Sequence, residues 1–253
     1  MNPAEFSNIA ATEETFWWFR GMDRMLWDFL GEHRADFQGK PALELGCGTG
    51  WVSSQFLKHF PGCPLTSMDL ASEGLRYAQR RGLTRLAQGD VRQLPFADAS
   101  FRLALTLDVI VHLEHGEERE AFREFARVLE PGGILLMRAA AFSWLRSRHS
   151  AFVNERQRFR SSNVLTQLKD CEFEPLRSTY ANTLLLPVSL LKSRVWEPMT
   201  NAEPASGLAT MPPVLNRLFE TCLMAEAAWL RGGHSFPVGQ SLWVLARKVG
   251  NPT

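Results

Sequence analysis

Between residues 40 and 140 short apolar runs alternate with longer amphipathic stretches, an order that few folds accommodate. PALELG is closed by Gly46, PLTSMDL starts at Pro64 and runs into the helix-like SEGLRYAQRR, and LTRLAQGD ends at Gly89 and Asp90. FRLALTLDVIV is nearly continuous in apolar residues. EEREAFREFARVLEPGG places Phe122, Phe125, Val128 and Leu129 at helical spacing before a Pro-Gly-Gly stop, and GGILLMRAAA reads as another buried strand. Strands alternating with helices predict βαβ units and a parallel sheet covered on both faces.

The two ends follow other patterns. TEETFWWFRGMDRMLWDFL, residues 12–30, predicts one or two amphipathic helices, expected to form an N-terminal helical lid within residues 1–39. After residue 140 the alternation stops. SSNVLTQLKDC predicts a helix capped by Ser162 or Asn163, FEPLRSTYA a strand, and QSLWVLARKV a final strand. Residues 183–232, rich in Leu, Met, Pro and Trp, predict a largely helical insertion with a loop near 198–213. One α/β domain over 40–253, with a lid before it and an insertion inside it, is the expected organisation.

Composition narrows the function. With 253 residues, 45% of them hydrophobic, the chain can bury the core of one large domain. Its 28 basic and 27 acidic residues give a net charge of +1, so no bulk charge points to nucleic acid. The N-terminus lacks the basic start and apolar run of a signal peptide, and no uncharged apolar stretch reaches the ~18 residues of a membrane span. Cys47, Cys63, Cys171 and Cys222 are scattered, without a CxxC pair. A cytoplasmic protein with reduced thiols is expected.

ELGCGTG, residues 44–50, places three glycines where a strand ends and a helix begins. Glycine admits positive φ and presents no Cβ to a ligand, while the following helix aims unpaired N–H groups into the same space. The third glycine comes one residue too early for a dinucleotide fingerprint, and Trp51 takes the place of the last one. Glu44, on the strand end, favours a ligand with less phosphate and more positive character. Asp69, ending the second strand, can accept from both hydroxyls of a ribose. Asp90, ending the third, can accept from an exocyclic amine. Two carboxylates would repel a pyrophosphate but suit an adenosine joined to a cationic group.

Four stretches in order, ELGCGTG (44–50), SMDLASEGLRYAQRR (67–81), AQGDVRQLPFADASFRLALTLDVIVHL (87–113) and FARVLEPGGILLM (125–137), resemble the successive motifs of class I S-adenosylmethionine-dependent methyltransferases. The resemblance implies a Rossmann-like seven-stranded sheet with the last strand antiparallel and helices on both faces. It implies S-adenosylmethionine as cofactor and S-adenosylhomocysteine as product. Carried over, Glu44, Gly46, Cys47, Gly48 and Gly50 form the turn against the methionine part. Asp69 holds the ribose with Leu70 next to it, Asp90 and Val91 flank the adenine, and Leu107 and Asp108 lie beside the methyl-donating sulfur.

Methyl transfer from a sulfonium needs alignment and, for a protonated acceptor, a base. His112, four residues after Asp108, is the candidate base. His115 completes an HxxH pair, but no third ligand is visible and no metal is expected. Trp18, in a Trp17–Arg20 cluster, could face the sulfonium, and Arg20 could pair with the cofactor's carboxylate. The tail over 156–194 is similar to one bacterial group of these enzymes, which makes Arg158, Tyr180 and Asn182 acceptor-pocket candidates. Gln157, Glu155 and Glu172 depart from that group where acceptors bind, so its substrate is not carried over.

The expected activity is transfer of a methyl group to an oxygen of a small molecule, with nitrogen or carbon less favoured. The insertion suits an apolar cap over a hydrophobic acceptor, a homodimer face, or a membrane-surface contact for a lipid-linked acceptor. Two other readings stay open: a methyltransferase-like protein that binds the nucleoside and catalyses another reaction or acts as a partner, and a nicotinamide-dependent oxidoreductase.

Overall fold

In the computed structural model, residues 2–200, 203, 205–208 and 211–250 are described. Strands β1 (Ala42–Leu45), β2 (Leu65–Asp69), β3 (Leu86–Gln88), β4 (Phe101–Leu107), β5 (Leu129–Ala140), β6 (Phe173–Ala181) and β7 (Ser241–Lys248) form one sheet in the order β3-β2-β1-β4-β5-β7-β6. Strands β1 to β5 pair in parallel, and β7 runs antiparallel to both β5 and β6. This is the expected seven-stranded α/β sheet.

The continuous apolar strands are explained by two covered faces. On one side α6 (Glu117–Val128) and α8 (Ser161–Asp170) bury Phe122, Phe125, Val164 and Leu168 against β4, β5 and β7. On the other lie α2 (Trp17–Glu32), the short α3 (Arg34–Phe37) and α4 (Trp51–His59), with Phe29, Leu30, Phe37 and Phe56 inside. Helix α5 (Ser72–Arg80) links β2 to β3.

The tail adds α7 (Arg148–Phe152) and then one continuous helical stretch. That stretch comprises α9 (Leu186–Leu191), a π-helical turn (Lys192–Trp196) and α10 (Glu197–Met199). The long α11 (Pro213–Arg231) follows. It inserts Leu223, Ala227 and Leu230 into the core beside α2. No helix among the described residues is long and apolar enough to cross a membrane.

Two expectations about local structure change. Helix α2 packs on the sheet rather than standing off it as a lid: Met22, Met25, Leu26, Phe29 and Leu30 are buried there, because its amphipathic stripe joins α3, α4 and α11 in covering that face. Among the described residues α1 (Glu5–Thr12) lies beside the glycine turn, with Phe6 against Gly74 next to Gly48 O. Helix α8 is capped by neither Ser162 nor Asn163. Its first amide, Ser161 N, donates to the Tyr180 hydroxyl at 2.9 Å.

Candidate functional site

The order of the sheet reverses at β1, whose neighbours β2 and β4 lead away in opposite directions, and α/β sheets bind ligands at the carboxyl ends of such strands. The glycine turn, Asp69 and Asp108 all lie there. The three glycines divide their tasks. A Cβ on Gly46 would stand 2.2 Å from Val109 Cγ2, and one on Gly50 would stand 2.8 Å from Ala78, so both are required by packing. A Cβ on Gly48 would meet nothing within 4 Å, although its φ of +53° is in the left-handed region. Gly48 is thus the one of the three that faces open space.

Backbone amides pin the turn to β2. Gly46 N and Cys47 N donate to Met68 O at 2.7 and 2.9 Å, and Gly48 N donates to the Asp69 carboxylate at 2.8 Å. Ala71 N donates to the other Asp69 oxygen at 2.8 Å. Burial pushes this carboxyl up and the two amides oppose it. Each oxygen keeps a further lone pair, so hydroxyl donors can still be accepted. Leu70 stands beside it with 66% of its surface exposed, an apolar plate at the rim.

Glu44 and Asp90 have other partners than expected. Glu44 is buried beneath the turn, hydrogen-bonded by Ser53, whose hydroxyl lies 2.6 Å from that of Ser67. Burial, with the charges of Asp69 and Asp23, pushes it to about 8, so it is a neutral acid inside the protein at pH 7 and not a charge facing a ligand. Burial likewise pushes the Cys47 thiol up. Asp90 is gripped by its neighbour Arg92, which donates from its backbone amide (2.9 Å), Nε (3.0 and 3.1 Å) and Nη2 (2.6 Å). That fork holds the carboxyl below its usual range and occupies the acceptor directions meant for an exocyclic amine. Val91 is buried in the core.

Beside Leu107, at the end of β4, Asp108 takes φ +57° and donates its amide to Arg138 O at 2.9 Å. Arg138 Nε and Nη2 return to one Asp108 oxygen at 2.9 and 2.7 Å. The guanidinium lies 4.6 Å from the Trp18 ring and 5.4 Å from the Trp243 ring. Trp18 therefore gives one face of its ring to a protein cation. Arg20 points away to Glu220 on α11 at 2.9 Å, which removes it from the cofactor's carboxylate. A third acid, Asp23, accepts from Trp51 Nε1 at 2.7 Å, and burial pushes it to about 6. Asp23 and Arg138 carry no motif in the sequence, and Trp51 marked only the place of a missing glycine. A lone cation within the apolar run ILLMRAAA was the available signal for Arg138.

His112 ends a 3-10 turn, Ile110–His112, directly after Asp108. Its Nδ1 lies 3.2 Å from Asn154 O. A carbonyl can only accept, so Nδ1 carries the hydrogen and Nε2 keeps its lone pair. Burial lowers the basicity of the ring, which leaves it neutral at pH 7.

The tail candidates are built into the frame. Arg158 donates to both Glu155 oxygens at 2.6 and 3.1 Å, to Ser150 Oγ and to Ala141 O. Tyr180 caps α8 and stacks on Phe142 at 4.8 Å. Both are thereby committed to partners within the protein, Arg158 chiefly to its near neighbour Glu155 and Tyr180 to the start of α8, which corrects their assignment to the acceptor pocket. Asn182 is buried at φ +57°, and its Oδ1 has no partner among the described residues.

The lid contacts were also not foreseen. Phe6 lies against Gly74, next to Gly48 O, while buried Glu13 pairs with Thr49 Oγ1 and Arg81. Ser206 Oγ donates to Glu5 at 2.9 Å, and Gly207 N donates to His149 Nδ1 at 2.8 Å, so the insertion reaches α1 and α7. The open Gly48 cradle, the amide-held Asp69 carboxylate and the apolar plate of Leu70 fit the nucleoside and methionine halves of S-adenosylmethionine.

Known proteins agree with this geometry. Residues 42–133 match a family model described as a methyltransferase domain. The chain is 37% identical over 111 residues to a fatty-acid O-methyltransferase of Mycolicibacterium smegmatis, covering 41% of this chain and 38% of that protein. It is 36% identical over 110 residues to a malonyl-[acyl-carrier protein] O-methyltransferase of Herminiimonas arsenicoxydans, covering 44% of this chain and 41% of that one. The match thus spans about two fifths of the length of these curated relatives. A geranyl diphosphate C-methyltransferase from Streptomyces coelicolor A3(2), solved with S-adenosyl-L-homocysteine, superposes with a TM-score of 0.59 at 16% identity, covering 89% of this chain and 78% of that one, and shows the shared fold. The sheet order, the glycine turn and the family match converge: residues 42–133 match a methyltransferase domain, on a sheet that has the fold of S-adenosylmethionine-dependent methyltransferases.

Proposed function

We propose that the chain transfers the methyl group of S-adenosylmethionine to a hydroxyl oxygen of a small, hydrophobic acceptor. The observation that carries the reading is the state of His112, a neutral imidazole four residues after Asp108 whose Nδ1–H is committed to Asn154 O and whose Nε2 keeps its lone pair. The bound cofactor supplies an already activated methyl group on a sulfonium. The protein's part is to hold, align and deprotonate. Gly48 admits the methionine part, Asp69 accepts from the ribose hydroxyls, and Leu70 covers the base. Asp108, locked by Arg138, sets the wall of the methyl site. His112 Nε2 takes the acceptor's hydroxyl proton as the oxygen becomes a nucleophile.

The apolar, Leu- and Trp-rich insertion and the fatty-acid substrate named for one curated relative support a hydrophobic acceptor. The test is to incubate purified protein with S-adenosylmethionine and a panel of long-chain hydroxylated and carboxylated acceptors, reading S-adenosylhomocysteine and methylated product by mass spectrometry. His112→Ala should lose about 10²–10⁴-fold in kcat on a hydroxyl acceptor. It should change little on a carboxylate, which has no proton to remove at pH 7. Equal losses on both would refute the base role.

A further inference from the structure

From Leu186 to Met199 the chain is helical for fourteen residues, yet none of them is buried. The sequence, LPVSLLKSRVWEPM, is not that of a solvated helix. Val188, Leu191, Val195 and Met199 recur three and four residues apart and form one stripe. Leu191 is 62% exposed and Met199 79%, with Trp196 beside them at 68%. Water-facing helices with such a stripe are covered by something in use.

The charges beside the stripe say what. Lys192 and Arg194 lie on the same stretch. Arg194 Nη2 donates to Trp144 O at 2.7 Å, which brings the exposed Trp144 to the same place, and Arg146, two residues on, is exposed and donates to the Glu155 and Arg156 carbonyls. Lys192, Arg194 and Arg146 make no ion pair with any acid among the described residues. The stretch's one acid, Glu197, accepts from the Arg148 backbone amide at 3.0 Å and is turned into the fold. On a chain whose net charge is only +1, this is a local basic and aromatic surface.

We propose that the Leu186–Met199 stretch is an interfacial element that lays its apolar stripe on an anionic lipid surface. Apolar residues and tryptophan enter the acyl boundary, and Lys192, Arg194 and Arg146 meet the phosphates. A second copy of the chain is disfavoured as occupant, because a two-fold interface would set this basic rim against itself. The segment 142–148, which holds the helix, follows β5 at the carboxyl end of the strands, the end at which Asp108 and His112 follow β4, so the helix and the methyl site lie toward one end of the sheet.

The test is co-sedimentation of the full chain with vesicles of phosphatidylcholine alone and of phosphatidylcholine with phosphatidylglycerol. Binding to the anionic vesicles is expected, weakened by 0.5 M salt and at least about tenfold weaker with phosphatidylcholine alone, since each basic residue contributes about 1 kcal/mol at an anionic surface. Leu191→Glu/Trp196→Glu should abolish binding, and Lys192→Glu/Arg194→Glu should remove its dependence on anionic lipid. All four residues are exposed, and unchanged circular dichroism and melting would confirm intact folds. No binding to either vesicle, or binding indifferent to both double variants, overturns the proposal. So does a dimer in sedimentation velocity that Leu191→Glu/Trp196→Glu dissociates, since a second copy would then occupy the stripe.

Discussion

Glu44→Gln isolates the buried carboxyl beneath the glycine turn. Glu44 has an ordinary value of 4.5 and is pushed to about 8 by burial. In the folded state it keeps a proton that the unfolded chain has released, so its neutral form favours folding at low pH. That contribution is complete below 4.5 and is lost as pH rises through about 8. Over that window wild type should lose on the order of 5 kcal/mol from this one group, by the conversion of about 1.4 kcal/mol per tenfold. Glutamine has the same shape and never ionises. Ser53 can still hydrogen-bond it, because a hydroxyl rotates to suit its partner. Urea unfolding of both proteins at pH 5, 6.5 and 8.5 gives the difference in stability. It should be small at pH 5 and grow in favour of Glu44→Gln by several kcal/mol at pH 8.5. A difference that stays flat across the three pH values would show that Glu44 is ionised within the fold, and would refute the neutral-acid assignment.

Gly46→Ala, with a contact of 2.2 Å to Val109 and φ +77°, should destabilise by about 3 kcal/mol or more in thermal unfolding. Gly48→Ala faces open space and should cost only the left-handed penalty of about 1–2 kcal/mol, yet weaken S-adenosylmethionine binding in calorimetry. Arg138→Met leaves Asp108 without its cation and should cost about 2–3 kcal/mol in urea unfolding, less than for a fully buried pair because Asp108 is 31% exposed. Because burial lowers the His112 value from 6.5, the acid limb of kcat against pH should fall below 6.5, and His112→Ala should remove that limb.

Much of this molecule was readable along the chain. The parallel strands run inside PALELG, PLTSMD and FRLALTL because a strand buried on both faces must be largely apolar, and that requirement is local. The glycine turn and Asp69 were also legible, since strand end, turn and helix start are consecutive. FEPLRSTYA is β6 residue for residue. The side-chain partners were not legible. Whether a charged residue meets a ligand or another residue depends on what the fold brings opposite it. Arg20 meets Glu220, two hundred positions away, and Arg138 meets Asp108 across adjacent strands. Arg158 and Asp90 were claimed by near neighbours, Glu155 and Arg92, which spacing alone does not orient.

The same reason separates α2 from α1. Both are amphipathic segments ahead of the first strand, but only tertiary structure decides which finds an uncovered sheet face and which is left over the glycine turn. Sequence by itself determined the sheet, the turn and the acid that ends β2, because burial period and turn chemistry are written in adjacent residues. Tertiary structure alone decided which charges are already satisfied and which apolar stripe, on Leu186–Met199, is left uncovered, because pairing and burial are properties of what lies across space.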